Sequence, residues 1–135
     1  MLQLLQDTPD CTIQHDTVRD WLLVTWVGPQ PLPTAQARCL DIVAHVQATG
    51  STKLLNDGSD DDAGWLELAP WVARVFLPRL AAQGVVAIAW VSPRNPRALV
   101  CMNQVLTTRI YPNVAAFTEL EDAHAWLCKA AKSLT

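Results

Sequence analysis

The stretch LLNDGSDDDAGW, residues 54–65, is the part of the chain richest in side chains that could do chemistry. It places one hydroxyl among four carboxylates, on either side of a glycine: Asp57, Gly58, Ser59, Asp60, Asp61 and Asp62. Carboxylates bind hard cations, a serine can accept a phosphate, and an aspartate can accept the free N–H groups at a helix N-terminus. The stretch is therefore a candidate cation site, phosphorylation site or helix cap.

The spacing within this stretch does not match the known cation or phosphate loops. An EF-hand loop counted from Asp57 would require glycine where Asp62 stands and glutamate where Leu68 stands. The chain also has no glycine-rich phosphate loop ending in lysine. We therefore predict that Asp61 or Asp62 caps the next helix, with a protein-docking loop or weak cation binding as the alternatives.

Two cysteine–histidine pairs raise the question of a metal site. Cys11 precedes His15 by four residues, and His124 precedes Cys128 by the same spacing. Neither pair extends into a known zinc-ligand spacing, and Cys39 falls on an apolar helical stripe. We predict reduced cysteines, no metal and no cofactor.

No pattern of catalytic residues stands out. The serines do not lie in a nucleophile elbow, and no paired carboxylates stand in an apolar setting. We predict no catalytic residues and a protein that is not an enzyme. An activity assembled from residues distant in sequence is left open.

These side chains must be positioned by strands that alternate with helices. Strands are predicted at residues 11–16, 21–27, 52–57, 85–91 and 113–117. Helices are predicted from a Thr34 cap to Gly50, through a segment that Pro78 kinks or splits, after an Asn95 cap and after a Thr118–Glu121 capping box. The expected fold is α/β, with a mixed, largely parallel five-stranded sheet and four helices in the order β-β-α-β-α-β-α-β-α.

The expected domain organisation is simple. Residues 1–135 form one domain with a core at about 11–132 and an N-terminal extension at 1–10. Residues 21–27 and 85–91 are apolar throughout, which predicts interior strands covered on both faces. His15 is expected to be packed and hydrogen-bonded, and His45 to lie on the solvated side of its helix.

The composition of the chain argues against some classes of binding partner. The net charge is −3 and the ten basic residues form no run, which argues against nucleic acid. No segment resembles a signal peptide or reaches the length of a membrane span. A cytoplasmic protein without stable membrane insertion is expected.

Several segments together resemble a known family. They are WVG at residues 26–28, KLLND at 53–57, FLPRLAAQG at 76–84, VVAIAWVSP at 85–93 and FTELEDAHAWL at 117–127. Over residues 12–128 the chain is similar to small bacterial STAS-like (SpoIIAA-like, STAS/SEC14-like) proteins. These are packing motifs, so the resemblance speaks to fold more than to activity.

The resemblance implies a regulatory loop after the third predicted strand. In this family an Asp-Ser-Ser-Gly-like turn carries the phosphorylated residue, and a partner kinase docks there. This chain has Asp61-Asp62-Ala63-Gly64 instead, so we predict no switch at that turn and take Ser59 as the local candidate phosphoacceptor. Arg94 and Arg97, in the loop after the next strand, complete a candidate docking surface with Asp57–Asp62.

Two functions follow as expectations. The first is a non-enzymatic interaction module that is homodimeric and binds an unidentified protein partner. The alternative, implied by the SEC14-like relation, is a carrier or sensor of a small apolar ligand or lipid. Three tryptophans are the candidate ligand-lining residues: Trp65, Trp71 and Trp90.

Overall fold

The computed structural model describes residues 1–63, 66–108 and 112–131. Within these ranges the fold is α/β, with six strands in one mixed sheet whose spatial order follows the sequence. The strands are β1 (Leu2–Thr8), β2 (Cys11–Asp16), β3 (Trp21–Gly28), β4 (Lys53–Asp61), β5 (Ala87–Val91) and β6 (Asn113–Phe117). β1, β2 and β3 are antiparallel neighbours, whereas β3 to β6 are parallel. The mixed sheet is as expected.

The prediction of five strands is wrong by one, because residues 2–8 pair with β2 instead of forming an extension outside the sheet. A hydrogen-bond chain holds β1 in place. The Gln6 amide donates to Asp41 Oδ2 at 2.7 Å, and Gln6 Oε1 lies 2.8 Å from His45 Nε2. The side of the first helix that carries His45, which we expected to be solvated, therefore binds β1. Nothing in the alternation of LQLLQDT indicates these long-range partners.

Four helical segments follow the predicted order in the described ranges. They are α1 (Leu32–Thr49), α2 (Leu68–Trp71, Val72–Phe76 and Leu77–Ala82 in succession), α3 (Pro96–Thr108) and α4 (Leu120–Lys129). The end of α1 is as predicted, since Gly50 adopts a left-handed φ of 69°. Asn95 caps α3 as predicted, and its Oδ1 accepts the N–H groups of Arg97 and Ala98.

Two predicted caps are wrong. α1 begins at Leu32 after Pro31, two residues before Thr34, without a side-chain cap. α4 begins at Leu120 after Glu119, also without a side-chain cap, so Thr118 and Glu121 form no capping box. In α1, Pro33 lies in the first turn, and its fixed φ favours the start of the helix without a cap.

Pro78 changes the winding of α2 instead of breaking it. The turn Val72–Phe76 is π-helical, and the Leu77 N–H donates to Val72 O, five residues back. A wider turn before Pro78 accommodates a residue that has no N–H and clashes one turn back in a regular helix. α2 consequently remains one continuous wall against the sheet.

The helices cover the two faces of the sheet unequally. α1, α2 and α3 pack on one face with the larger core, which includes Leu22, Ile42 and Leu80. α4 alone packs on the other face, over β4, β5 and β6. β5 is largely buried on both faces as predicted, but β3 ends with Val27 47% exposed. In the described ranges, no helix is long and apolar enough to cross a membrane.

Candidate functional site

A pocket lies at the carboxyl ends of the parallel strands, between the sheet and the three helices of the larger core. Its cavity volume is about 60 Å³, and the space between its walls is about 700 Å³ when the part open to solvent is included. The walls are mainly apolar, and α2 contributes its π-helical turn through Val72 and Phe76. The carboxyl ends of parallel strands are where α/β sheets commonly bind ligands.

A bulge in β4 directs Asp61 into this pocket. Thr25 pairs with Asp57 and Val27 pairs with Asp60, so β4 has one residue more than β3 between these two pairs. Side chains alternate between the faces of a strand, and one extra residue reverses the alternation. Without the bulge, Asp61 would share the face of Asp57; with it, Asp61 lies among the pocket-lining residues.

The Asp61 carboxyl group is held by two local hydrogen bonds. Its Oδ1 accepts the Ala63 N–H at 2.9 Å, and the buried side chain of Gln30 also hydrogen-bonds to it. Burial nevertheless raises the pKa of Asp61 to about 6, and the neighbouring Asp62 adds to the rise. A carboxylate that is destabilised in an apolar pocket is a common sign of a functional site.

This finding corrects the predicted role of the acidic run. Asp61 closes a turn directly after β4, whereas α2 begins at Leu68 after Glu67, which makes no side-chain cap. Neither Asp61 nor Asp62 therefore caps a helix. The β4 strand also extends to Asp61, so most of the predicted loop is strand.

Two tryptophans and an asparagine form the sheet side of the pocket. Trp26 Nε1 donates to Asn56 Oδ1 at 2.8 Å, which satisfies both groups next to the apolar wall. Trp90 lines the pocket from β5. A Cβ on Gly58 would lie 3.1 Å from Trp90 Nε1 and 3.1 Å from Val91 O, so glycine permits this close approach.

Two of the cysteines also line the pocket, namely Cys39 and Cys101. Burial raises the pKa of both thiols, in Cys101 to about 11, and nearby Asp61 contributes in each case. Cys11, buried in the same core, has its pKa raised to about 12 by burial. These thiols stay protonated at neutral pH, so they are weak nucleophiles.

The two predicted docking loops are joined to each other. Arg94 forms an ion pair with Asp60, and the Arg94 N–H donates to Ser59 O at 3.2 Å. Both charged side chains of the ion pair are exposed. Arg97 lies apart from this pair and lines a polar vestibule with Asp62 and Asn95. The vestibule adjoins the pocket, because Gln30 and Ala63 line both.

Ser59 lies in the bulge with its hydroxyl already bonded. Ser59 Oγ donates to Asp57 Oδ1 at 2.7 Å, and the Ser59 N–H donates to the same oxygen at 3.1 Å. A phosphate on Ser59 would place a second negative group against Asp57, close to Asp60. Phosphorylation at this position remains a prediction for phosphopeptide mapping in the native host.

The predicted ligand-lining tryptophans have separate locations. Trp90 lines the pocket, whereas Trp71 stacks on Phe76 with ring centroids 6.3 Å apart, outside the described lining. Trp65 lies outside the described residues. Trp26, which sequence reasoning did not select, lines the pocket instead. Its place near the end of β3 was the available signal.

The histidine pairs are placed as follows. His15 Nε2 lies 2.9 Å from Asp20 Oδ1, which confirms a hydrogen-bonded histidine. His124 Nδ1 lies 3.7 Å from Cys128 Sγ on the exposed side of α4. In the parts of the chain that the structure covers, no three His, Cys, Asp or Glu side chains form a group that could hold a metal ion.

Comparisons with known proteins do not assign this chain to a family. No model of a protein family matches the sequence, and no curated protein matches it significantly.

Proposed function

We propose that this chain is a non-enzymatic α/β module that binds a small, mainly apolar ligand in the pocket at the carboxyl ends of β3, β4 and β5. The observation that carries the proposal is the pocket itself, with apolar walls from three helices and a few polar groups on the sheet side. Ligand sites in proteins usually combine a concave apolar wall with a few placed polar groups. The proposal develops the ligand-carrier alternative implied by the STAS/SEC14-like resemblance.

The dimensions of the pocket favour a small ligand over a complete lipid. The cavity of about 60 Å³ is smaller than the roughly 150 Å³ of an engineered protein cavity that encloses benzene. A short aliphatic chain or an aromatic ring would therefore also occupy the part of the pocket that opens to solvent. A long acyl chain would require α2 to move away from the sheet.

The chemistry of the described thiols and of Ser59 supports a binding role over a catalytic one. The thiols that line the pocket have raised pKa values, and Ser59 is bonded to Asp57 outside its lining. The remaining described lining residues are chiefly apolar. Reversible binding is the function that these groups support.

Ligand binding is tested by filling the pocket. Ala98 is a buried lining residue, so Ala98→Leu should reduce the affinity for a small aromatic probe such as toluene at least tenfold, by occupying its space. Quenching of Trp26 and Trp90 fluorescence reports binding, and native mass spectrometry of freshly purified protein detects a retained ligand. Ala125→Leu, on the exposed side of α4, is the matched control.

Loss of binding in both leucine variants would point to general destabilisation, so the melting temperature of each variant is measured in the same series. Wild-type protein that neither retains a ligand nor responds to toluene contradicts the proposal.

A second candidate keeps the STAS-like interaction module and commits to a second copy of this chain as the partner. β1 lies at the open edge of the sheet and has one charged residue, Asp7, with no lysine or proline to prevent pairing. Leu2 and Leu4 are 49% and 54% exposed on the sheet half that α4 leaves uncovered. Two β1 edges related by a two-fold axis can pair antiparallel.

Light scattering coupled to size-exclusion chromatography tests this self-association. Leu4→Lys should convert a dimer to a monomer, because it places like charges opposite each other at the paired edges. Val100→Lys, at a 48% exposed position on α3, should leave the dimer intact. A wild-type monomer across the micromolar range contradicts the second candidate without affecting ligand binding.

A further inference from the structure

We propose that the ligand of this pocket carries a hydrogen-bond donor, best supplied by a protonated amine on a small apolar body, and that Asp61 binds it. The inference rests on the proposed function and names the chemical class of the ligand. It is drawn from the sign, the direction and the remaining bonding capacity of the polar groups at the pocket.

The charge of the pocket has one sign. Among the described lining residues, the ionisable groups are Asp61 and two cysteines, and no lysine or arginine is present. Arg97 is confined to the outer vestibule, where Asp62 is its neighbour. An anionic ligand such as a fatty acid would meet a carboxylate without a cation to offset it. A cationic or neutral donor would meet an acceptor.

The geometry of β4 places this acceptor, the Asp61 carboxyl group, at the pocket. The bulge reverses the side-chain alternation and directs Asp61 into the pocket, although the solvated face lay one residue away. Ala63 and Gln30 then fix the orientation of the carboxyl group. A carboxylate has about four lone-pair positions, so these two bonds leave capacity for a ligand donor.

The electrostatics of the Asp61 carboxyl group also favour a ligand that donates to it. Burial raises the pKa of Asp61 to about 6, which means that the ionised form is destabilised in the empty pocket. A bound ammonium group would stabilise the ionised form through a charge-assisted hydrogen bond. The groups facing Asp61 do not compete for this role, because the Cys11, Cys39 and Cys101 thiols have raised pKa values and Asp62 is acidic.

The experiment compares four probes of one shape: benzylamine, benzyl alcohol, benzoate and toluene. Tryptophan fluorescence or chemical-shift titration measures their affinities for wild-type protein, Asp61→Asn and the control Asp62→Asn. At about pH 7.5, benzylamine should bind wild-type protein at least about tenfold more tightly than toluene, and benzoate should bind most weakly. Asp61→Asn should remove the preference for the amine, and Asp62→Asn should keep it.

A pH titration supplies the second readout. Because the carboxyl group titrates near 6, lowering the pH from about 7.5 to about 5 should weaken benzylamine binding about tenfold and leave toluene binding nearly unchanged. Toluene or benzoate that binds as tightly as benzylamine overturns the inference and leaves the pocket in place. An unchanged amine preference in Asp61→Asn overturns it as well. Failure of all four probes overturns both the inference and the proposed function.

Discussion

Each end of β4 carries a charged side chain, Lys53 buried and Asp61 half-buried, and their surroundings differ. At the start of the strand, Lys53 is only 4% exposed; its Nζ donates to Leu127 O at 2.7 Å and lies 5.9 Å from the centre of the Trp21 ring. At the other end, Asp61 faces an apolar pocket and has a raised pKa. The first charge is enclosed by its partners, whereas the second borders open space.

Under the proposed function, Lys53 is a structural charge and Asp61 is a ligand-binding one. Lys53 binds a carbonyl near the C-terminus of α4, where the helix dipole favours a cation, so it fastens α4 to the sheet. Asp61 fastens only a short turn, and its ionisation opposes folding. A destabilised group that borders a cavity is better explained by what it binds than by what it holds together.

The largest expected effect comes from removing the enclosed charge. Lys53→Ala should lower the free energy of unfolding by about 3 kcal/mol, because it leaves a cavity and leaves Leu127 O with only the longer bond from the Ala130 N–H, at 3.3 Å. Lys53→Met, which keeps the apolar stem, should recover part of that loss. Chemical denaturation measures both variants. A Met variant as stable as wild type would show that the ammonium contributes nothing, as happens with some buried charges.

The opposite sign is expected at the other end of β4. Asp61→Asn should raise the free energy of unfolding at neutral pH by about 2 kcal/mol, allowing for partial exposure of the group. Asp62→Asn, its exposed neighbour, should change stability by less than about 0.5 kcal/mol.

The pH dependence follows from the same pKa. The folded protein holds the Asp61 proton more tightly than the unfolded chain, since its pKa is raised from 3.8 to about 6. The stability from this group is therefore complete below pH 3.8 and is lost as the pH rises through about 6. Denaturation across this range should show a slope that Asp61→Asn removes. An identical slope in the variant would mean that another group titrates.

A smaller effect is expected in the bulge between the two ends. Gly58→Ala should lower the free energy of unfolding by about 1 kcal/mol, because its Cβ would press on the Trp90 ring and on the β5 backbone. The displaced indole should also shift the tryptophan emission spectrum. Unchanged emission with unchanged stability would show that β4 and β5 separate freely here.

The smallest effect is expected at the exposed ion pair beside the pocket. A double-mutant cycle on Asp60→Ala and Arg94→Ala should give a coupling energy of at most about 1 kcal/mol. Pull-downs from the native host with the same variants test the docking hypothesis. Lower melting temperatures without loss of any partner would identify the pair as a tether between the two loops.

The sequence alone determined the class of fold. Apolar runs at residues 21–27 and 85–91 predicted interior strands, and the alternation of strand and helix patterns predicted a mixed α/β sheet. Gly50 and the Asn95 cap were also predictable, because their signals lie within a few residues of the feature they control. A feature can be predicted from the sequence where interactions between neighbouring residues decide the backbone conformation.

Only the tertiary structure decided which residues face the pocket. Gln6 holds β1 in place through hydrogen bonds to Asp41 and His45 on α1. These partners are far away in the sequence, so no local pattern predicts the contact. The direction of Asp61 depends on one extra residue in β4, which is defined only by its pairing with β3. A shift of one residue exchanges the two faces of a strand, so the acidic run could be identified as chemically notable but not assigned to the pocket until its register was known.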